Sequence, residues 1–370
     1  MTEPSTQLVR RPRRRRHRPW RVAALAAVLV AVPAIALAAL TGGPQTRDEK
    51  AVAAADAFLE RYVDGDGRVV RRDQGGDTVS EGQAYALLLA AAARDEERFA
   101  RVWRWTRRNL QRRDGLLAWR WARGRVVDRE PATDADLDAA RALLVAARRF
   151  DRQRYRAAGL RIGRAVLADA TSERSGKLVL AAGPWARDAG VINPSYFSPR
   201  AYRALGSASR DGRWGALAES SRRLADRLTE QEPHLAPDWA RVEAWGVQAT
   251  GAPGSADGAR HGYDAVRVPL RLAESCSRAD RAIAARAWPF LRTDPGRAVR
   301  PLDGSPAPEG EHPSALAGAA AAAAAAGDGS SRDALLERAG ALDEERPTYY
   351  GSAIHALARV MLTTRRLGSC

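Results

Sequence analysis

TVSEGQAYALLLAAAARD, Thr78 to Asp95, sets a carboxylate at the mouth of an apolar rod: from Ala84 to Ala93 there is hardly a polar atom. Alanine and leucine favour helix, and a helix apolar on every side has to be surrounded by protein. Ser80 with Gln83 three residues on fits a capping box, and Glu81 in the first turn sits well against the positive end of the helix dipole. That reading explains the carboxylate without any function.

The same arrangement recurs twice. In PATDADLDAARALLVAARRF (131–150), Thr133 can cap, Asp134 and Asp136 fall in the first turn, and an apolar face follows through Leu137, Ala140, Leu143 and Leu144. In RHGYDAVRVPLRLAES (260–275), Asp264 lies within an amphipathic stretch, one residue after Tyr263 and three before Arg267, a spacing that also suits a plain ion pair.

Around these stretches helical signals follow one another, at roughly 49–64, 80–95, 97–110, 133–150, 152–170, 199–207, 214–229, 260–274, 279–291, 314–326, 331–342 and 350–365. Strand-type alternation is confined to short pieces such as GLLAWRWARGRVVD (115–128) and GKLVLAAGPWA (176–186), which read as hairpins inserted between helices. No interior linker is long or polar enough to divide the chain. The spacing therefore predicts one all-α domain over 48–366, in which twelve helices can close as six inner and six outer ones. The alanine-rich run Ala315–Ala326 favours helix by composition alone.

The 370 residues, 45% hydrophobic, suffice for a large core. The formal charge is +16, but residues 1–21 hold eight arginines against Glu3, so the body is only moderately basic. That tail leads into Val22–Leu40, nineteen residues without a charge, and a linker over 41–47. A basic stretch before an apolar span is the pattern of a membrane signal-anchor with the tail in the cytoplasm and the domain outside. Ala36, Leu37 and Ala38 also offer a signal-cleavage site and hence a secreted domain. As an orientation signal the arginine run needs no nucleic acid. Cys276 and Cys370 form no metal-ligand pattern, and whether they pair is open.

Tryptophan usage points toward a ligand. Trp103, Trp105 and Trp288 lie in helical patterns and suit core packing, whereas Trp119 and Trp185 lie in loop or hairpin segments. Aromatic planes beside carboxylates suit a sugar polymer, whose C–H faces stack while its hydroxyls seek polar partners. Tyr196, Tyr263, Tyr349 and Tyr350 extend that set.

TVSEGQAYALLLAAA, WRWTRRNLQRRDGLLAWRW, ATDADLDAARALLVAARRF, INPSYFSPRAY and GYDAVRVPL occur in the order of the hallmark segments of glycoside hydrolase family 8, which the chain resembles from about residue 78 to 355. Ala84 departs from the Gly that many members carry after SEGQ. The resemblance implies an (α/α)6 barrel and cofactor-free, metal-free hydrolysis of internal β-1,4-glucosidic bonds with inversion. It implies Glu81 as general acid, Asp264 as general base and Asp134 as the acidic residue at the cleavage point. Trp119, Trp185, Tyr196, Tyr263, Arg267, Tyr349 and Asp136 are the expected substrate-binding residues, with Tyr263 and Arg267 also suited to orienting Asp264. A xylan hydrolase would share the acid and base, and a non-catalytic glycan-binding protein assisting a polysaccharide synthase or export system would share the fold.

One requirement is physical. A helix dipole lowers the pKa of a Glu in the first turn, whereas a general acid must keep its proton near neutrality. Burial and the like charge of Asp134 are the expected opposing influences on Glu81.

Overall fold

The computed structural model describes residues 45–370 apart from 245, 307 and 309. The basic tail 1–21, the apolar span 22–40 with its Ala36–Ala38 site, linker residues 41–44 and Trp245 lie outside the described residues. Among the described residues no helix is long and apolar enough to cross a membrane.

What separates the inner helices from the outer ones is how much of each is apolar. Helix α2 (Ser80–Ala93) buries twelve of its fourteen residues, while α3 (Glu96–Asn109) buries Phe99, Val102, Trp103, Trp105 and Thr106, a single stripe. Six inner helices pack in ring order: α2, α4 (Thr133–Arg149), α6 (Pro199–Ser209), α8 (Arg267–Ala273), α11 (Pro313–Ala325) and α13 (Tyr349–Thr363), with α13 closing on α2. Outside them lie α1 (Arg47–Tyr62), α3, α5 (Gln153–Asp169), α7 (Arg213–Leu228), α9 (Arg278–Arg286) and α12 (Gly329–Glu345), so the domain is an (α/α)6 barrel. A one-turn α10 (Trp288–Leu291) follows α9: the stretch expected to be one helix over 279–291 is divided because Pro289 cannot donate into a continuing helix. The compact unit runs from Arg47 to Cys370. Cys276 and Cys370 form a disulfide that ties the last residues to the segment between α8 and α9.

Three small sheets decorate the barrel. Strand β1 (Thr78–Val79) runs straight into α2 and pairs with β2 (Arg120–Ala122), which pairs in turn with β3 (Arg125–Asp128). The β2–β3 connection uses Arg123 and Gly124, both at positive φ, as a two-residue hairpin turn requires. Strands β4 (Thr171–Arg174) and β5 (Lys177–Leu180) form the second hairpin. The third sheet joins β6 (Val191–Ile192), β7 (Trp239–Glu243) and β8 (Gly246–Thr250), and sequence alternation did not reveal it.

Two expectations about α2 and α8 are corrected. Ser80 does not cap: Val79 is the N-cap without a side-chain bond, and the Ser80 hydroxyl is buried without a partner. Gln83 instead accepts from Val69 N–H (2.6 Å) and donates to Thr106 Oγ1 (2.7 Å), which ties α2 to α3 and the preceding loop. Thr133 likewise donates to the Ala181 carbonyl at 2.9 Å while Ala132 is the N-cap of α4. The second correction is that no helix covers 260–266. Helix α8 starts at Arg267, where Pro269 falls in the first turn and its missing N–H costs nothing.

The alanine-rich run is explained by that turn. Gly318 on α11 faces the Val266 carbonyl so closely that a Cβ would come within 2.4 Å, so the small residues of α11 let the 262–266 segment lie directly on it.

Inside the barrel, α4 and α8 face each other through three buried ion pairs: Asp134–Arg267 (2.6 Å), Asp138–Arg271 (2.5 Å) and Arg141–Glu274 (2.7 Å). Each pair is separated by 133 positions. A constant offset means parallel helices in fixed register. The uppermost rung belongs to the site.

Candidate active site

Arg267 is the hub. Wholly buried, it donates through one terminal nitrogen to Tyr85 Oη (2.7 Å) and Asp134 Oδ2 (2.6 Å), and through the other to Ser195 Oγ (2.8 Å) and Asp264 Oδ1 (2.6 Å). One guanidinium thus spaces two carboxylates, using the planar fork that lysine lacks. Expected to bind sugar or orient Asp264, Arg267 is placed for the second task only.

Asp264 has donors on both oxygens: Arg267 on one, and Asn193 Nδ2 on the other at 2.9 Å. Its side chain keeps 29% of its surface open, which leaves one face free for water or substrate. Asn193 is itself fixed, because its Oδ1 accepts from the Ser195 N–H (3.0 Å) and hydroxyl (2.7 Å).

Glu81, half-buried at the N-terminus of α2, has a different shell. Its Oε2 accepts from the Trp119 indole N–H at 3.0 Å, and it has no ion pair among the described residues. Burial, then the charge of Asp134, pushes its carboxyl up to about 7, against the pull of Arg267 and the Trp119 bond. Burial also raises Asp134, but that group contacts Arg267 directly. Arg267 thus holds Asp134 directly, while among the described residues Glu81 meets only the Trp119 indole.

Trp119 is presented by the sheet that leads into α2: its carbonyl accepts from Ser80 N–H at 2.8 Å. The sheet is anchored at Asp77, bonded by Arg71 (2.7 Å) and Arg120. Against burial, these two arginines pull the Asp77 carboxyl below its ordinary range.

Aromatic side chains flank the carboxyls on two sides. Trp185, 42% exposed, lies 6.3 Å from Trp239, which is 6.2 Å from Tyr196, whose ring faces Arg267 at 5.6 Å. On the other side Tyr263, 43% exposed, packs edge-on to His312 (5.1 Å) and Tyr350 (6.0 Å).

Two expected binding residues are corrected. Asp136 points away from Asp134, as residues two apart on a helix must. It is wholly buried, accepts from Leu117 N–H at 2.8 Å, and burial holds its carboxyl well above the ordinary range. Tyr349 is buried against Phe58 and Tyr62, with its hydroxyl so near Gly82 that a Cβ there would come within 2.5 Å. The adjacent Tyr350 faces the Tyr263 side instead and donates to the Tyr263 carbonyl at 2.6 Å. Sequence reasoning missed Asn193, Ser195, Tyr85 and Asp238. Asn193 and Ser195 flank Pro194 and read as turn residues, and only the return of the chain to Asp264 gives them a partner. Among the described residues no group of His, Cys, Asp and Glu could hold a metal ion.

The sequence model for "Glycosyl hydrolases family 8" matches residues 30–364. A probable endoglucanase of Novacetimonas hansenii is 37% identical over 222 residues, 58% of this chain and 64% of that protein. An endoglucanase of Xanthomonas axonopodis pv. citri is 32% identical over 74% of this chain and 75% of its own length. The chain thus spans just under two thirds of the Novacetimonas relative and three quarters of the Xanthomonas one. Among solved structures, the endo-beta-1,4-glucanase CMCax from Acetobacter xylinum superposes with a TM-score of 0.73 at 28% identity, covering 85% of this chain and 98% of that one.

Proposed function

Because the chain belongs to glycosyl hydrolase family 8, we propose that it is an inverting endo-β-1,4-glucanase with Glu81 as general acid and Asp264 as general base. The observation that carries this reading is the unequal setting of the two carboxyls. Glu81 is lifted to about 7 by burial and Asp134, whereas Asp264 meets the Arg267 guanidinium and the Asn193 amide. Inversion requires one carboxyl of each kind on opposite faces of the sugar, roughly 6.5–9.5 Å apart.

In the proposed reaction Asp264 takes a proton from a water molecule as its oxygen bonds to the anomeric carbon. Glu81 gives its proton to the glycosidic oxygen as the old bond breaks. Glu81 ends ionised and Asp264 protonated, and exchange with solvent resets both. Asp134, closed off by Arg267, contributes through its charge on Glu81. Trp119, Trp185 and Tyr263 supply stacking faces for the glucan.

We assign the domain to the outer side of the membrane, delivered by residues 1–40 as an anchor or as a cleaved signal. The Cys276–Cys370 disulfide supports this, since such bonds persist in oxidising compartments. Assistance to a polysaccharide synthase is compatible with that placement.

The test is reducing-sugar release by the full chain from carboxymethyl cellulose, mixed-linkage glucan, xylan and chitosan. Release from the cellulose derivative that Glu81→Gln and Asp264→Asn each abolish is expected. Release from xylan alone would move the substrate, and binding without release from any polymer would contradict the reaction.

A further inference from the structure

Asp238, just before β7, is a buried carboxylate that the mechanism above leaves without a task. It is 8% exposed, and it lines the same cavity as Asp264, with Trp239, Arg260 and Tyr263. Its bonds go to the segment that carries Asp264. Asp238 N–H donates to the Arg260 carbonyl at 2.9 Å, and Oδ1 accepts from Ala265 N–H at 2.8 Å. Gly262 lies against the other oxygen, so that a Cβ there would come within 2.1 Å of Oδ2. The turn from 260 to 265 is therefore moulded around one side chain, and Asp264 is the residue it presents.

We infer that Asp238 is a positioning residue for the proposed base: it fixes the Asp264 backbone through Ala265 and the close approach at Gly262, and its charge favours the positive charge that develops on the attacking water. The inference rests on the glucanase reading.

A carboxylate suits this task because Oδ1 takes the Ala265 N–H, which the turn does not pair within itself, while Oδ2 packs against Gly262. The charge adds a second effect, because a carboxylate beside the proposed base favours the positive charge that develops on water as it attacks. Burial, then the charge of Asp264, raises the Asp238 carboxyl to about 6, while the Ala265 bond, Arg260 and the neighbouring Gly262 N–H oppose the rise. Around Asp264 the other groups that titrate or carry charge are Arg267 at the start of α8, Asp134 on α4, Glu81 on α2, Tyr196 ahead of α6 and Tyr350 on α13. Asp238, raised to about 6, is the one whose charge changes nearest pH 6, and Glu81 follows at about 7.

The experiment compares full-chain wild type, Asp238→Asn and Asp238→Ala on carboxymethyl cellulose across pH 4–9. Asn keeps an oxygen for the Ala265 N–H without the charge, and Ala keeps neither. The Ala variant is expected to lose about tenfold or more in kcat with KM within about twofold, as a misplaced reacting group does. The Asn variant should recover most of kcat but lose the inflection near pH 6, so that its relative activity below pH 6 rises. An Asn profile that superimposes on wild type, or an Ala kcat within about twofold of wild type, overturns the inference. If the Ala variant does not fold, the Asn profile decides alone. A wild type that hydrolyses no glucan overturns the glucanase reading and this inference with it, whereas an active wild type with an unchanged Asn profile overturns only the inference.

Discussion

Glu81 rides on the first turn of α2 and Asp264 on the turn that precedes α8, and the two surroundings offer a carboxyl opposite things. Around Glu81 are an indole N–H, the buried wall of α2 and the charge of Asp134. Around Asp264 are a guanidinium, an amide and an open face. The helix dipole acts on Glu81 in the direction of ionisation, while burial and the like charge of Asp134 act in the opposite direction and raise its carboxyl. The comparison teaches that the neighbour set, and not the residue type or the helix position, divides the proposed acid from the proposed base.

Removing either carboxyl breaks the comparison outright. Glu81→Gln and Asp264→Asn are each expected to lower kcat by roughly 10²–10⁴-fold, the usual worth of a positioned acid or base, in initial-rate assays on carboxymethyl cellulose. Next in size is the ladder beneath the site. Asp138→Ala strands Arg271 in the barrel interior, and equilibrium denaturation should show a loss of about 3–5 kcal/mol.

Smaller effects sharpen the comparison by their sign. Asp134→Asn removes the like charge, so Glu81 ionises more readily and the alkaline limb of the kcat profile moves to lower pH, by up to about one unit. Trp119→Phe removes a bond that favours the ionised form, so the same limb moves to higher pH, by roughly half a unit or less. Shifts of the same sign in the two variants would show that the limb does not report Glu81.

The acid side was the more legible half in sequence. An apolar run with a carboxylate at its start survives as a buried inner helix because every element of it is local: composition, first turn and preceding strand. The base side was read as a helix over 260–274, since the apolar spacing continues through Tyr263 and Val266. In the fold that turn is bonded at Ala265 by Asp238, 27 positions upstream, and rests on Gly318 of α11. Neither contact leaves a periodic trace. The same limit applies to Asp136, which shares a motif with Asp134 but points the other way, and to Asn193, whose partner lies 71 positions on. The roles of Ser80 and Gln83 were misread for the opposite reason: a local capping pattern was present, but the tertiary demand of Val69 N–H and Thr106 took the Gln83 amide.

The central claim, that Glu81 holds its proton in the folded protein until about neutrality, can be tested without substrate. The measurement is the melting temperature of Glu81→Gln minus that of wild type, from pH 4 to pH 9. A folded carboxyl at about 7 against an ordinary 4.5 binds its proton more tightly in the native state, so wild-type stability falls as pH rises between those values. Discounted for its half-exposed setting, the cost above pH 7 is about 1–3 kcal/mol. The account predicts a difference near zero below pH 4.5 that grows in favour of Glu81→Gln and levels off above pH 7. A difference independent of pH, or one that favours wild type at pH 8, would contradict it.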